Sequence, residues 1–217
     1  MADPVARPNR RERLRVSISG FTRGRIAALS EFARGQIIYF AHVIGLIAPG
    51  VEIPVFRAHQ IAPLPLDDWS EADLEPMIDE GRRQLDRQLC DLERIRGRAQ
   101  WLLTTGAAIT AALGTALVAK HPSGTVLWLW VPALVFLACG VAGAGAVMTV
   151  RADFMAIDTA VLSTKEPPIL KTLATSYSRM LRTGENTVAT RLTLFRQAVV
   201  YVIVGGYLGL LAALLHH

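Results

Sequence analysis

The chain has 217 residues, of which 52% are hydrophobic and 19% charged, with a mean hydropathy of +0.34 and a net charge of +5. These values are shifted away from ordinary soluble domains and toward membrane proteins. The two cysteines, Cys90 and Cys139, fall in a charged helix and in the middle of an apolar stretch, so neither a bridge between them nor an oxidising compartment is expected.

Residues 1–66 read as a basic amino-terminal region. Eight arginines in residues 1–34 stand against Asp3, Glu12 and Glu31, a local +5 that equals the excess of the whole chain. No apolar run follows the first basic residues, so a cleavable leader is not expected. Phe21, Ile26, Leu29, Phe32 and Ile37 are spaced for one helical face, which suits adherence to an anionic inner leaflet. Nucleic acid is the lesser reading, because no aromatic interleaving accompanies the arginines. In residues 35–56, "GQIIYFAHVIGLIAPGVEIPVF", the uninterrupted apolar part covers only 37–48, and Pro49, Glu52 and Pro54 break the remainder. An interfacial or protein-buried helix ending at "APG" is expected, with a membrane-inserted helix as the alternative.

After the Pro-rich "APLPLDDW", residues 67–100 read as an amphipathic cytoplasmic helix. Ser70 and Asp73 resemble a capping box with Asp in the Glu position, and the acidic run 67–80 suits a helix amino terminus. Ile78, Leu85, Leu89, Leu92, Ile95, Ala99 and Leu102 form one apolar seam leading into the next segment. Gly97 is the one position on this path that would let the helix bend.

Three stretches carry no charge: residues 101–119, 125–150 and 197–215. Each reaches the roughly 18–20 residues needed to cross a bilayer core, and none has a charged stripe at helical period. Residues 101–150 thus read as a transmembrane hairpin closed by "KHPSG", and 197–217 as a third transmembrane helix. Between them, residues 151–196 form a second cytoplasmic helical segment. It starts after Pro167 and Pro168, carries a seam of Leu170, Leu173, Tyr177, Met180, Leu181, Val188, Leu192 and Phe195, and has a weak point at Gly184. The two seams are expected to pack on each other, within one chain or between copies.

Arginines mark one side of every span: Arg94, Arg96 and Arg98 before the first, Arg151 after the second, Arg191 and Arg196 before the third. The positive-inside bias places the amino terminus and both arms in the cytoplasm and the carboxyl end outside, in a multi-pass inner-membrane topology. These six arginines are the expected inner-leaflet anchors. The fold class that follows is an all-α integral membrane protein with three transmembrane helices and cytoplasmic helical arms.

Chemistry-bearing patterns are sparse. No acidic residue lies within a span, which weighs against a proton relay or cation carrier. The five histidines have no Cys, Asp or Glu partners at metal-ligand spacing, no phosphate-cradling loop follows a strand, and no nucleophile–base set is apparent. Asp153 and Asp158 read as a solvated face rather than a cation site. No catalytic residue, cofactor or metal is therefore assigned, and the chain is not expected to be an enzyme. The spans are instead rich in small residues: Gly140, Gly143 and Ala144 in the second, Gly205 and Gly209 in the third, and Ala107, Ala111 and Gly114 in the first. In lipid such residues permit close backbone approach, either within one chain or between copies. Thr104, Thr105, Thr110 and Thr115 can bond the preceding turn's carbonyls.

A charged helix ending in "RIRGRAQWLL" and running into a hairpin of two spans with a tiny outer loop resembles the small bacterial SLATT and Pycsar-type transmembrane effectors. The resemblance covers mainly residues 82–150 and rests on architecture. It implies a cytoplasmic module coupled to a membrane helix assembly that disrupts the membrane in anti-phage (antiviral) defence, and it carries over no functional residues. The long amino-terminal region and the separate third span depart from that pattern. The expected function is a self-associating, homo-oligomeric membrane-disrupting or pore-forming effector controlled by its cytoplasmic helices. The alternative is a membrane anchor or scaffold for a cytoplasmic protein partner. The lipid bilayer and further copies of the chain are the expected partners, with nucleic acid not among them.

Overall fold

The computed structural model describes residues 32–48, 54, 66, 69–120, 124–149 and 169–215. The basic residues 1–31, Arg151, Asp153 and Asp158 and the carboxyl-terminal histidines lie outside the described residues. The chain divides into two compact units, residues 1–37 and 38–217. Of the first, the described residues 32–37 are the opening turns of a helix.

Among the described residues every regular element is helical. The order is α1 (Phe32–Ile47), α2 (Glu71–Lys120), a 3-10 turn (Gly124–Val126), α3 (Leu127–Thr149) and α4 (Ile169–Leu215). Helix α1 ends at Ile47, leaving Ala48 non-helical ahead of Pro49, since proline disfavours a helical residue directly before it. At the start of α2 the Ser70 N–H donates to the Asp73 carboxylate at 3.3 Å, and the Ser70 hydroxyl donates to the same oxygen. That is the reciprocal half of a capping box, with Asp doing the work of Glu. From there α2 runs 50 residues without interruption, so the charged arm and the first apolar segment are one rod about 75 Å long. Gly97 lies inside it. Gly124, which opens the 3-10 turn before α3, has a φ of 69°, a left-handed conformation that glycine adopts without steric cost. Helix α4 is likewise continuous for 47 residues, through Gly184.

Three of these helices, α2, α3 and α4, are long and apolar enough to cross a membrane. They pack on one another in every pairing, most extensively α3 on α4. The arm seams meet within the chain. Leu74, Ile78 and Ala174 form one buried cluster, bordered by Trp69, Met77, Leu173 and Tyr177. Gln88 donates to the Leu181 carbonyl at 3.1 Å, and Arg82 donates to the Tyr177 hydroxyl at 3.2 Å while lying over its ring. Leu89 departs from the expected seam: it is exposed, and the adjacent Gln88 takes its place against α4. Of the expected α4 seam, Met180 is buried and Leu170, Leu173, Tyr177, Val188, Leu192 and Phe195 are partly buried against the two clusters. The rest of the buried line is Ala174, Gly184, Thr187, Thr190, Arg191, Leu194, Ala198, Val202, Gly205, Gly209 and Ala212, mostly small side chains.

Glycines set the α3–α4 spacing. A Cβ on Gly140 would stand 3.0 Å from the Ala198 carbonyl oxygen and the Val202 nitrogen. A Cβ on Gly205 would stand 2.8 Å from the Ala133 oxygen and the Leu137 nitrogen. Each helix therefore offers a glycine where the other presents backbone, the arrangement by which apolar helices gain dispersion contact without a solvent-driven force. Helix α2 is treated differently. Only 6% of its apolar window is buried, against 39% for α3 and 28% for α4.

Candidate functional site

The two rods and α3 converge where the charged arms become apolar, and a buried polar junction occupies that point. Ile95 and Ala99 of α2, Val147 of α3, and Leu194 and Ala198 of α4 form its apolar wall, with Tyr39 of α1 fully buried among them. Tyr39 reaches inward beside Gly143, where a Cβ would lie 2.6 Å from the ring carbons Cε2 and Cζ. Its hydroxyl donates to the Cys139 carbonyl at 2.5 Å, and its ring packs on Tyr201 at 5.0 Å between centroids. Gly143 is thus the notch that admits α1 to the bundle.

Arg191 is the second component, and it is only 3% exposed. Its Nη1 donates to the carbonyls of Ala146 at 2.8 Å and Val147 at 3.1 Å. Both carbonyls belong to the last turn of α3, where no intrahelical N–H is left to serve them and the helix dipole is negative. A guanidinium supplies charge-assisted donors in a fixed fork, so one residue of α4 caps α3 and balances its own buried charge. Arg191→Met is expected to leave those carbonyls unserved and destabilise the bundle by about 1–3 kcal/mol. Arg191→Lys should restore part of the loss, as read by unfolding followed through helical circular dichroism.

His42 completes the junction. It is buried, and its Nδ1–H donates to the Ile38 carbonyl at 2.8 Å. Burial holds its pKa below the ordinary 6.5 by disfavouring the charged ring; the Ile38 bond opposes that shift and the nearby Arg191 charge adds to it. A depressed histidine pKa means the unfolded chain binds the proton more readily. The stability is therefore full above about pH 6.5 and is lost as pH falls from there through the lower folded pKa. Unfolding of the purified protein should occur at lower temperature at about pH 5 than at about pH 7.5. His42→Gln should flatten that dependence, and an unchanged pH slope in the variant would refute the assignment.

The sequence-derived site residues divide by environment. Arg94, Arg96, Arg98 and Arg196 are exposed, with Arg94 also 3.3 Å from Asp91. Arg191 is inside the bundle and engaged with α3, unlike the other described flank arginines. Gly140, Gly143, Ala144, Gly205 and Gly209 are all buried within the chain, facing Val202, Tyr39, Leu137 and Leu113 among others. The first-span face is the reverse: Ala107 and Ala111 are exposed, and a Cβ on Gly114 would meet nothing within 4 Å. Thr104, Thr110 and Thr115 donate to carbonyls of their own preceding turns.

Tyr39 and the burial of Arg191 were not legible as site features. Arg191 did carry a usable signal: it falls on the same helical face as Gly184, Thr187, Leu194 and Ala198. Among the described residues no group of three or more His, Cys, Asp or Glu side chains is placed to hold a metal ion. Comparison with protein-family models, with curated proteins and with solved structures finds no match to this chain.

Proposed function

We propose that the protein is a self-associating multi-pass membrane protein in which the first span forms the contact between copies and the cytoplasmic arms govern the state of the assembly. It acts as a membrane-disrupting or pore-forming effector. The observation that carries this reading is the unequal cover of the three apolar helices. The buried small residues of α3 and α4 face partners within the chain, whereas only 6% of the residues in the α2 window are buried by it, against 39% for α3 and 28% for α4. Trp101 and Val118 are 77% and 69% exposed at the two ends of that segment. Between them Thr104, Ala107, Ala108, Ala111 and Thr115 offer a smooth, small-residue surface for a second helix.

Control by the arms is supported by continuity. Helices α2 and α4 each pass from arm to apolar segment without a break, and they are tied at both levels, by Arg82–Tyr177 and Gln88–Leu181 below and by the Tyr39–Arg191 junction above. A change in how the arms meet would tilt the apolar segments as levers. Orientation with the arms in the cytoplasm rests on the arginine asymmetry. The test is release of a trapped dye from vesicles together with growth on overexpression. Release and growth arrest are expected. Neither effect, under conditions where oligomers form, would favour the anchor or scaffold reading.

A further inference from the structure

From Ile38 to Ile47, helix α1 is apolar on both faces. Its polar side chains there are Tyr39 and His42, and both are buried, as is Ile38. On the opposite face Phe40, Ile44 and Ile47 are 43%, 54% and 84% exposed. Their spacing of four and then three residues sets them in one stripe about 60° wide. A helix apolar all round is stable where both faces are covered, in a protein core or in a bilayer. We infer that this stripe is a lipid-docking surface, seated among the acyl chains of the leaflet next to the arms.

Depth supports lipid as the cover. Helices α3 and α4 run antiparallel in a register set by their glycines: Gly140 faces Ala198 and Val202, and Gly205 faces Ala133 and Leu137. That register brings Cys139 level with Tyr201. The Tyr39 hydroxyl donates to the Cys139 carbonyl, and the Tyr39 and Tyr201 rings lie 5.0 Å apart. Tyr201 follows Arg196, the last charged residue of α4, by five positions (196 to 201), or about 7.5 Å along the axis. Helices that lie at a bilayer surface sink their apolar face by about 5–10 Å. Tyr39 therefore holds α1 where headgroups give way to acyl chains.

The stripe is also continuous with the apolar surface of α4. Phe40 lies 6.3 Å from Tyr201 between ring centroids, and Val200, Ile203 and Val204 beside it are exposed. A second copy of the chain suits this surface poorly. Helices in lipid associate where small residues let backbones approach, and the stripe presents a phenyl ring and two branched chains instead. Acyl chains conform to such a surface at no cost in helix spacing. Lipid docking rests on the reading of α2, α3 and α4 as membrane spans, and it adds a fourth element to the bilayer contact.

The test is spin labelling of single cysteines in the full chain in phosphatidylcholine vesicles, on a background of Cys90→Ser and Cys139→Ala. Labels are placed through Ile44→Cys and, in a second variant, Ile47→Cys. Ile203→Cys is the lipid control, and Cys90, exposed on the charged arm, is retained in one variant as the aqueous control. Collision of each label with oxygen, which concentrates in acyl chains, is compared with collision with a water-soluble nickel chelate. Positions 44 and 47 should show an oxygen-to-nickel ratio close to that at 203 and well above that at 90. Frequent nickel collisions at 44 would place the stripe in water and overturn the inference. Low rates with both reagents would mean that protein covers it, and would overturn it equally. A lipid signal at 203 alone would sink lipid docking and leave the membrane reading standing, whereas a water signal at 203 would sink both.

Discussion

Gly205→Ala should lower the stability of the helix bundle by about 1–3 kcal/mol, whereas Gly206→Ala, one residue along, should leave it within about 1 kcal/mol of the wild type. The two glycines are chemically identical and adjacent on α4. A Cβ at 205 meets the backbone of α3 at 2.8 Å, while a Cβ at 206 meets nothing within 4 Å. Backbone cannot rotate aside as a side chain can, so α3 and α4 must part by several tenths of an ångström along their longest contact. Close-packed contacts forfeit much of their dispersion energy over such a gap. Gly140→Ala should behave like Gly205→Ala, because its Cβ would be 3.0 Å from Ala198 oxygen and Val202 nitrogen. Gly145→Ala, with open space around it, is the matching control on α3. Denaturant unfolding in mild detergent, followed by helical circular dichroism, reads all four. Equal effects at 205 and 206 would mean that the glycines do not set the helix spacing.

Ala111→Trp should do the opposite: leave the fold intact and abolish assembly. Ala111 is exposed on the apolar part of α2, and Ala107, Ala108 and Thr115 flank it on the same surface. A tryptophan there has room within one chain but would hold a second helix several ångströms away from close approach. Apolar helices in lipid associate through that approach and not through a hydrophobic driving force, so the loss should be large. Cross-linking in vesicles should fall to the monomer for Ala111→Trp while its unfolding curve matches the wild type. Cross-linked species that persist unchanged would place the contact between copies elsewhere, for instance on the exposed outer end of α3 at Trp128 and Val131.

The contrast between these two substitutions marks what was legible in the sequence. The three apolar segments were readable because the absence of charge over some twenty residues is a local, additive signal. The helix start at Ser70 was readable because capping involves residues three apart. The arm seams were readable only in outline. Leu89 and Gln88 are neighbours about 100° apart on a helix, so hydrophobicity alone favours Leu89 while the actual rotation of α2 turns Gln88 toward Leu181. On α4 most of the buried line is Ala, Gly and Thr, with Met180, Leu194 and Val202 among them, and a search for large apolar residues passes over the small ones. The junction was beyond reach for another reason. Tyr39 bonds a carbonyl one hundred positions away, and Arg191 caps a helix forty-five positions away. No local pattern encodes those pairings, and Arg191 carries the same letter as the exposed anchors around it. The small residues stand out in the sequence, but no local pattern says which of them are buried within the chain.

That division bears on function. If α3 and α4 hold the chain together, the first span is left as the surface through which copies meet, and the Tyr39–Arg191 junction is where movement of the arms would be passed to it. On the proposed reading the arms would gate, the junction would transmit and the first span would assemble copies.

The most direct measurement is dye release from vesicles as the number of protein copies per vesicle is raised, with wild type and Ala111→Trp compared at equal incorporation. Self-association through the first span predicts release that climbs more steeply than in proportion to copy number for the wild type and stays at background for the variant. Release that is absent at every copy number, or that is the same for both proteins, would contradict it.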